Sequence, residues 1–186
     1  MGRLIYGVLA SLDGFVNDAD GDFSWAAPDE EVHAFVNDLQ RSADTHLYGR
    51  RLYEVMQVWQ TFGLDEDDSP AIKDFGQLWR TADKVVYSTT LKEVSTPRTR
   101  LERTFDPEVV RRLVADADGD VVVGGPGLAA HALRAALVDV LFVVVVPAVV
   151  GGGTPYLPEG LRLQLRLEQE RRFASGFVAL RYAVGH

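Results

Sequence analysis

Apolar residues recur along this chain in two rhythms. Short continuous runs rich in Val, Leu and Ile predict buried strands, and apolar residues three and four apart predict helices packed on one face. Arg3–Ala10 is the first strand run. The polar stretch Ser11–Asp22 reads as a loop, with Asp13-Gly14 and Asp20-Gly21 as turn signals. Pro28 is expected to open a helix. Asp29, Glu30 and Glu31 fill its first turn, where carboxylates suit the positive end of the helix dipole, and Val32, Phe35, Val36 and Leu39 form its apolar stripe. A short strand, Thr45–Tyr48, ends at Gly49. Arg50–Met56 then reads as a helical turn, Leu64–Ser69 as a polar loop and Pro70–Thr81 as a helix.

The second half repeats the alternation. Lys84–Ser88 and Thr99–Phe105 read as strands. Asp106-Pro107 caps and starts a helix through Ala117. Asp120–Val123 is a buried strand running into Gly124-Gly125-Pro126-Gly127, with a helix over Leu128–Ala136. The Val-rich stretch within Leu137–Val150 reads as a strand buried on both faces. After a Gly151–Gly153 turn come strands near Leu163–Phe173 and Phe177–Val184, joined around Ala174-Ser175-Gly176 as an antiparallel hairpin. Strand and helix alternate up to Val146, and two strands then follow with no helix between them. The expectation is one three-layer α/β domain over residues 1–186, with a mostly parallel sheet and an antiparallel C-terminal hairpin on one edge.

Composition narrows the function. The 186 residues contain no cysteine, which removes disulfides, thiolate metal sites and a Cys nucleophile. The formal net charge is −8, and residues 1–70 hold 14 acids against 4 bases. Such a chain repels nucleic-acid phosphate, so no nucleic-acid partner is expected. Asp139 and Pro147 interrupt the most apolar segment, which is too short to span a bilayer, so no membrane partner is expected either. The opening MGRLIYGVLASLDG could pass for a weak signal peptide, but Leu12-Asp13-Gly14 breaks its apolar run and favours a strand. A cytoplasmic location is expected. His33, His46, His131 and His186 are scattered, and no metal is expected.

The glycine-rich turn after Val123 carries the strongest local chemistry. Free N–H groups at a helix start can hold a phosphate, and glycines let it approach the backbone. Gly125-Pro126-Gly127-Leu128-Ala129-Ala130 also fits the G-x-G-x-x-A dinucleotide pattern. A Rossmann fingerprint, however, belongs in the first βαβ unit with an acid about 20 residues on. Here that region is Pro147–Val150, without an acid. A tight structural turn and a phosphate site on another α/β fold both remain open. Gly49-Arg50-Arg51 offers a second strand-to-helix turn, whose arginines can clamp a phosphate or simply face solvent.

Four motifs in this order resemble the dihydrofolate reductase-like superfamily, in the branch of the riboflavin-biosynthesis reductase C-terminal domain. They are Ser11-Leu12-Asp13-Gly14-Phe15, Leu47–Glu54, Lys84–Leu91, and Gly124–Gly127 with the later Pro147 and Gly151–Gly153. The resemblance implies a reductase that takes a hydride from NADPH and gives it to a small heterocycle, pterin- or pyrimidine-like, or to a carbonyl. It places Gly124, Gly125, Gly127 and Leu128 along the pyrophosphate. Gly49, Arg50 and Arg51 would face the phosphates, and Ser88 and Thr89 the adenosine 2′-phosphate. Asp13 and Glu31 become the candidate catalytic carboxylates, and Trp25 a surface on which a flat substrate stacks. Leu52 stands where the family has Thr, and Thr89 where many relatives have Arg, which leaves NADH open as the cofactor. Phe15 replaces the Lys of the riboflavin reductases, which would suit a phosphorylated substrate. A dinucleotide-binding protein without efficient catalysis is the rival reading. A homodimer stays open.

Overall fold

The computed structural model describes residues 2–185. Met1 and His186, the ends of the expected domain, lie outside the described residues. In chain order the elements are β1 (Leu4–Ser11), α1 (Glu30–Gln40), β2 (Ala43–Gly49), α2 (Arg50–Met56), α3 (Pro70–Thr81), β3 (Asp83–Tyr87) and β4 (Thr99–Glu102). They continue with α4 (Pro107–Asp116), β5 (Asp120–Gly124), α5 (Pro126–Arg134), β6 (Val140–Val146), β7 (Gln164–Arg172) and β8 (Val178–Gly185). Short 3-10 turns occupy Ser24–Ala26 and Gln57–Gln60.

The strands form one sheet in the order β4-β3-β2-β5-β1-β6-β8-β7. Strands β1 to β6 pair in parallel, while β8 runs antiparallel to both β6 and β7. The mostly parallel sheet with a C-terminal antiparallel hairpin is therefore the observed fold. Alternate residues of the strands feed opposite layers, as the pleat requires. Leu4, Tyr6, Leu47, Val85, Val121 and Val123 pack under α4 and α5. On the other face Ile5, Val122, Val140, Phe142 and Val144 meet α1, and Tyr48 and Val86 meet Phe75 and Trp79 of α3.

Three of the boundaries that differ from expectation do so for a clear local reason. Asp29 lies outside its helix as the N-cap, with Oδ1 accepting from the Val32 amide at 2.9 Å, so α1 begins at Glu30. Helix α5 begins at Pro126 rather than Leu128, because Pro lacks the N–H that a first helical residue leaves unused. It ends at Arg134, and Ala136 turns left-handed at φ 50°. The Val-rich strand shrinks to Val140–Val146: Leu137 still donates to the Ala132 carbonyl of the helix end, and Pro147 closes the other end.

The connections place a site. From β2 the chain travels outward through α2 and α3 to β3. From β5 it travels the other way through α5 to β6. The carboxyl ends of the adjacent strands β2 and β5 are thus a topological switch point, where open α/β sheets leave a crevice.

Candidate functional site

Two helix starts meet at that crevice. Tyr48 and Gly124 are register partners at the strand ends, and the next residues, Gly49 and Gly125, are the N-caps of α2 and α5. Neither cap has a side chain to satisfy the free amides of its first turn. In α1, α3 and α4 the corresponding amides bond to Asp29, Ser69 and Asp106. The turns abut, since a Cβ on Gly49 would sit 3.7 Å from the Leu128 Cβ.

The glycines differ in what surrounds them. Gly124 makes room for Leu52, whose Cδ2 would lie 2.6 Å from an added Cβ. Gly125 holds φ 84° and ψ 126°, a backbone region that side chains resist. Gly127 is exposed, and nothing lies within 4 Å of where its Cβ would stand. Only at Gly127 does the missing side chain leave open space over the amides of the α5 start. Leu128 is buried in the core below.

Arg50 and the Ser88–Thr90 turn are neighbours. Its Nη1 donates to the Thr90 hydroxyl at 2.9 Å, and its Nε pairs with Glu54 at 3.0 Å. Arg51 is exposed and makes no ion pair among the described residues. Ser88 Oγ accepts from the Thr90 and Leu91 amides at 3.2 and 2.9 Å, which shapes the turn, while Thr89 is exposed. Arg103 braces the same turn from β4's side, donating to the Ser88 carbonyl at 3.1 Å and to the Leu91 and Lys92 carbonyls. No sequence signal distinguishes Arg103 from other surface arginines.

Asp13 belongs to a clasp between the loop after β1 and the loop after β6. Its Oδ1 accepts from the Val150 amide at 3.2 Å and its Oδ2 from the Gly151 amide at 2.8 Å. The Ser11 hydroxyl foremost, and then these amides, hold its carboxyl below the usual carboxylate range. The clasp continues as Val16 donates to the Thr154 carbonyl, Tyr156 to the Gly14 carbonyl, and Thr154 to the Asn17 side chain. Gly153, at φ 136°, allows the closest approach: an added Cβ would stand 1.9 Å from the Asn17 carbonyl oxygen. Asn17 had no separate signal, although a polar loop opposite a triple glycine is the pattern such a clasp leaves.

Trp25 is half-buried against the core under α1, its Nε1 donating to the Asp22 carbonyl at 3.0 Å. The two glutamates of α1 are drawn to opposite neighbours. Glu30 Oε1 accepts from the Ala71 amide at 2.8 Å, and the Ser69 hydroxyl and that amide lower its pKa. Glu31 Oε1 accepts from Arg171 of β7 at 2.8 Å. Arg171 also lies over the rings of Phe35 and Phe173, 4.9 and 4.8 Å from their centroids. Glu31 therefore ties α1 to the hairpin and does not join Asp13 at the clasp. Its side chain is exposed. The structure brings Gly49, Gly124, Gly125, Gly127 and Leu128 to one crevice, and Arg50 to the Ser88–Thr90 turn. A cavity of about 420 Å³ lies between the end of α5 and the 159–163 segment, away from this crevice.

Known proteins share this fold. The model of the RibD C-terminal domain matches residues 3–179. The chain belongs to that family. A curated relative, the uncharacterised protein YyaP of Bacillus subtilis, is 26% identical over 182 residues, covering 97% of this chain and 94% of its own. Among solved structures, a Thermotoga maritima diaminohydroxyphosphoribosylaminopyrimidine deaminase/5-amino-6-(5-phosphoribosylamino)uracil reductase superposes with a TM-score of 0.67 at 14% identity, over 99% of this chain and 57% of that one. Enterococcus faecalis dihydrofolate reductase, solved with NADP(H), gives 0.63 at 12% identity, over 100% and 98% of the two chains. At these identities the likeness establishes the fold, which this member of the RibD C-terminal domain family shares with reductases. No helix among its described residues is long and apolar enough to cross a membrane.

Proposed function

We propose that this single-domain protein is a reductase that binds a nicotinamide dinucleotide across the carboxyl ends of β2 and β5 and reduces a small flat heterocycle or a carbonyl compound. The observation that carries the reading is the pair of adjacent helix starts without side-chain caps, one of them open at Gly127. Amides left without a side-chain cap among the described residues, at the positive ends of two helix dipoles, suit a pyrophosphate. Gly49 and the Gly124–Leu128 turn would hold it. Arg50 and Arg51 would add charge, and Ser88 and Thr89 would border the adenosine end. A relative of the same fold was solved with NADP(H).

When bound, such a cofactor supplies the hydride. The chain's own contribution is placement. Asp13 keeps its carboxylate ionised and engaged with two backbone amides, so it acts as a positioning residue that fixes the 148–151 turn beside the first loop, not as an acid at neutral pH. Trp25 offers a half-buried flat face along that loop. The preferred cofactor is NADPH, with NADH the alternative, because Arg50 and Thr90 are the polar side chains joined at the adenosine end.

One observation favours the rival reading, dinucleotide binding without efficient chemistry. Asp13 and Glu30 both have lowered pKa values, and Glu31 is paired with Arg171. Neither Asp13 nor Glu30 is poised as a proton donor. The test is a titration with NADPH and with NADH, followed by nicotinamide fluorescence. Anaerobic turnover against pterins, folates, pyrimidines and quinonoid carbonyls comes next. Saturable binding with oxidation of the cofactor by one substrate class is the expected result. Binding without turnover selects the rival, and no binding of either dinucleotide ends both.

A further inference from the structure

Residues 88–98 join β3 to β4 without a helix or strand of their own. The two strands are parallel, so the segment must run back along the length of the sheet. Backbone of this kind needs partners for its amides and carbonyls. At the near end Arg103 meets the carbonyls of Ser88, Leu91 and Lys92. Further on, Leu91 and Val94 pack against the cluster of Tyr48, Tyr53, Phe75, Trp79 and Val86.

The far half is held by a buried side chain. Tyr53 of α2 is fully buried, and its hydroxyl accepts from the Ser95 amide at 3.0 Å and the Thr96 amide at 3.2 Å. The same hydroxyl lies 3.0 Å from Thr96 Oγ1, which lies 2.8 Å from Thr99 Oγ1. Counting protons gives these contacts a direction. Thr99 Oγ1 gives its single proton to the Pro97 carbonyl, 3.0 Å away. It must therefore accept from Thr96, and Thr96 must accept from Tyr53. The Tyr53 hydroxyl is then saturated, with two amides received and its own proton given.

Helix α2 also carries Arg50, whose Nη1 donates to the Thr90 hydroxyl. The loop is thus fastened to one helix at two levels, by Arg50 at Thr90 and by Tyr53 at Ser95 and Thr96. The two fastenings differ in strength. Arg50 is half exposed and shares its charge with Glu54, so solvent competes for it. Tyr53 is shielded from that competition.

We propose that Tyr53 is a positioning residue for the adenosine half of the dinucleotide. Its hydroxyl sets where the loop that begins with Ser88, Thr89 and Thr90 stands against Arg50, and so how well that half binds. The inference rests on the proposed cofactor site. A guanidinium beside a row of hydroxyls suits a phosphate ester, and a row displaced from the guanidinium does not. Tyr53 itself, buried beneath, acts only through the loop.

Two fragments of the cofactor test this separately. Adenosine 2′,5′-bisphosphate reports on the adenosine half and reduced nicotinamide mononucleotide on the other, each titrated by ligand-observed NMR, with NADPH titrated by fluorescence. Tyr53→Phe keeps the ring in the core and removes the acceptor of two amides. It should weaken adenosine 2′,5′-bisphosphate and NADPH about 10-fold and leave the mononucleotide within about 2-fold, with hydrogen exchange quickened over 92–98. Thr96→Val is the milder variant, close in shape, for use if the phenylalanine variant does not fold. It interrupts the proton chain but leaves both amides on Tyr53, so adenosine 2′,5′-bisphosphate should weaken about 3-fold. Equal weakening of both fragments marks a general structural role and overturns the inference. So does unchanged adenosine 2′,5′-bisphosphate affinity in a folded variant whose parent binds NADPH. A parent that binds neither dinucleotide ends the proposed cofactor site and this inference with it.

Discussion

Gly127→Ala separates what the α5 turn does for the fold from what it does for a ligand. Gly127 lies in the first turn of the helix, and the added methyl meets no atom within 4 Å. The fold therefore has no reason to resist it. Replacing a helical glycine with alanine gains about 0.5–1 kcal/mol, mostly by restricting the unfolded chain. For a chain of this length that is a rise in Tm of roughly 1–3 °C. A pyrophosphate resting on the α5 amides would occupy the space the methyl enters. Losing that close approach should cost about 2 kcal/mol, or roughly 30-fold in dinucleotide affinity. The assay pairs a thermal scan with a nicotinamide fluorescence titration on the same preparation. Gly125→Val is the contrasting variant. Its φ of 84° makes the backbone itself resist a β-branched residue, so stability falls by about 1–3 kcal/mol along with binding. Native affinity in Gly127→Ala, with the Tm raised as expected, would refute the phosphate reading of the turn.

Other perturbations address the frame around the site. His46 is buried, and burial foremost, then the Lys84 charge, lowers its pKa to about 4. The unfolded chain takes up that proton below about pH 6.5 while the folded chain does not, so stability is lost on acidification towards pH 4. Denaturant titrations at about pH 7.5 and 4.5 should show roughly 2–3 kcal/mol more acid loss in the native chain than in His46→Gln, and equal losses would show that the imidazole is not held neutral. Gly153→Ala drives a methyl into the Asn17 carbonyl, so hydrogen exchange should quicken in both 11–18 and 147–156; protection equal to the parent's would remove the clasp as a constraint. Asp13→Asn should leave dinucleotide affinity unchanged and lower turnover on any substrate found, and undiminished turnover would take the clasp out of the reaction.

Much of the fold was legible because it rests on short-range patterns. Asp120–Val123 reads as a buried strand and the Val-rich stretch within Leu137–Val150 as one buried on both faces, and β5 and nearly all of β6 are buried. Pro70 and Pro107 mark helix starts, as does Pro126, two residues earlier than the apolar pattern suggested. The glycine and arginine turns were visible because strand-to-helix junctions with small residues have a local signature. Roles that depend on distant partners were not legible. Glu30 and Glu31 look identical in a helix start, yet one meets the α3 terminus and the other Arg171, 140 residues away along the chain. Asp13 reads as turn chemistry or as an acid, and its partners, the Val150 and Gly151 amides, lie 137 and 138 residues away along the chain.

The strand order also sets a timetable. Strand β1 is made before the other strands of this sheet, yet its neighbours are β5 and β6, with Leu4 opposite Val121 and Ile5 opposite Val140. During synthesis the apolar segment Leu4–Ser11 must wait, unpaired, until more than half of the chain has left the ribosome. Strands β2, β3 and β4 can associate earlier, but they lack the central strand that closes the crevice. Long loops of this kind must close before their contacts reward them, which slows folding and lengthens the exposure of an aggregation-prone run. Arg3 and the polar Ser11–Asp22 loop flank that run on either side, where charged and polar residues discourage premature association between nascent chains.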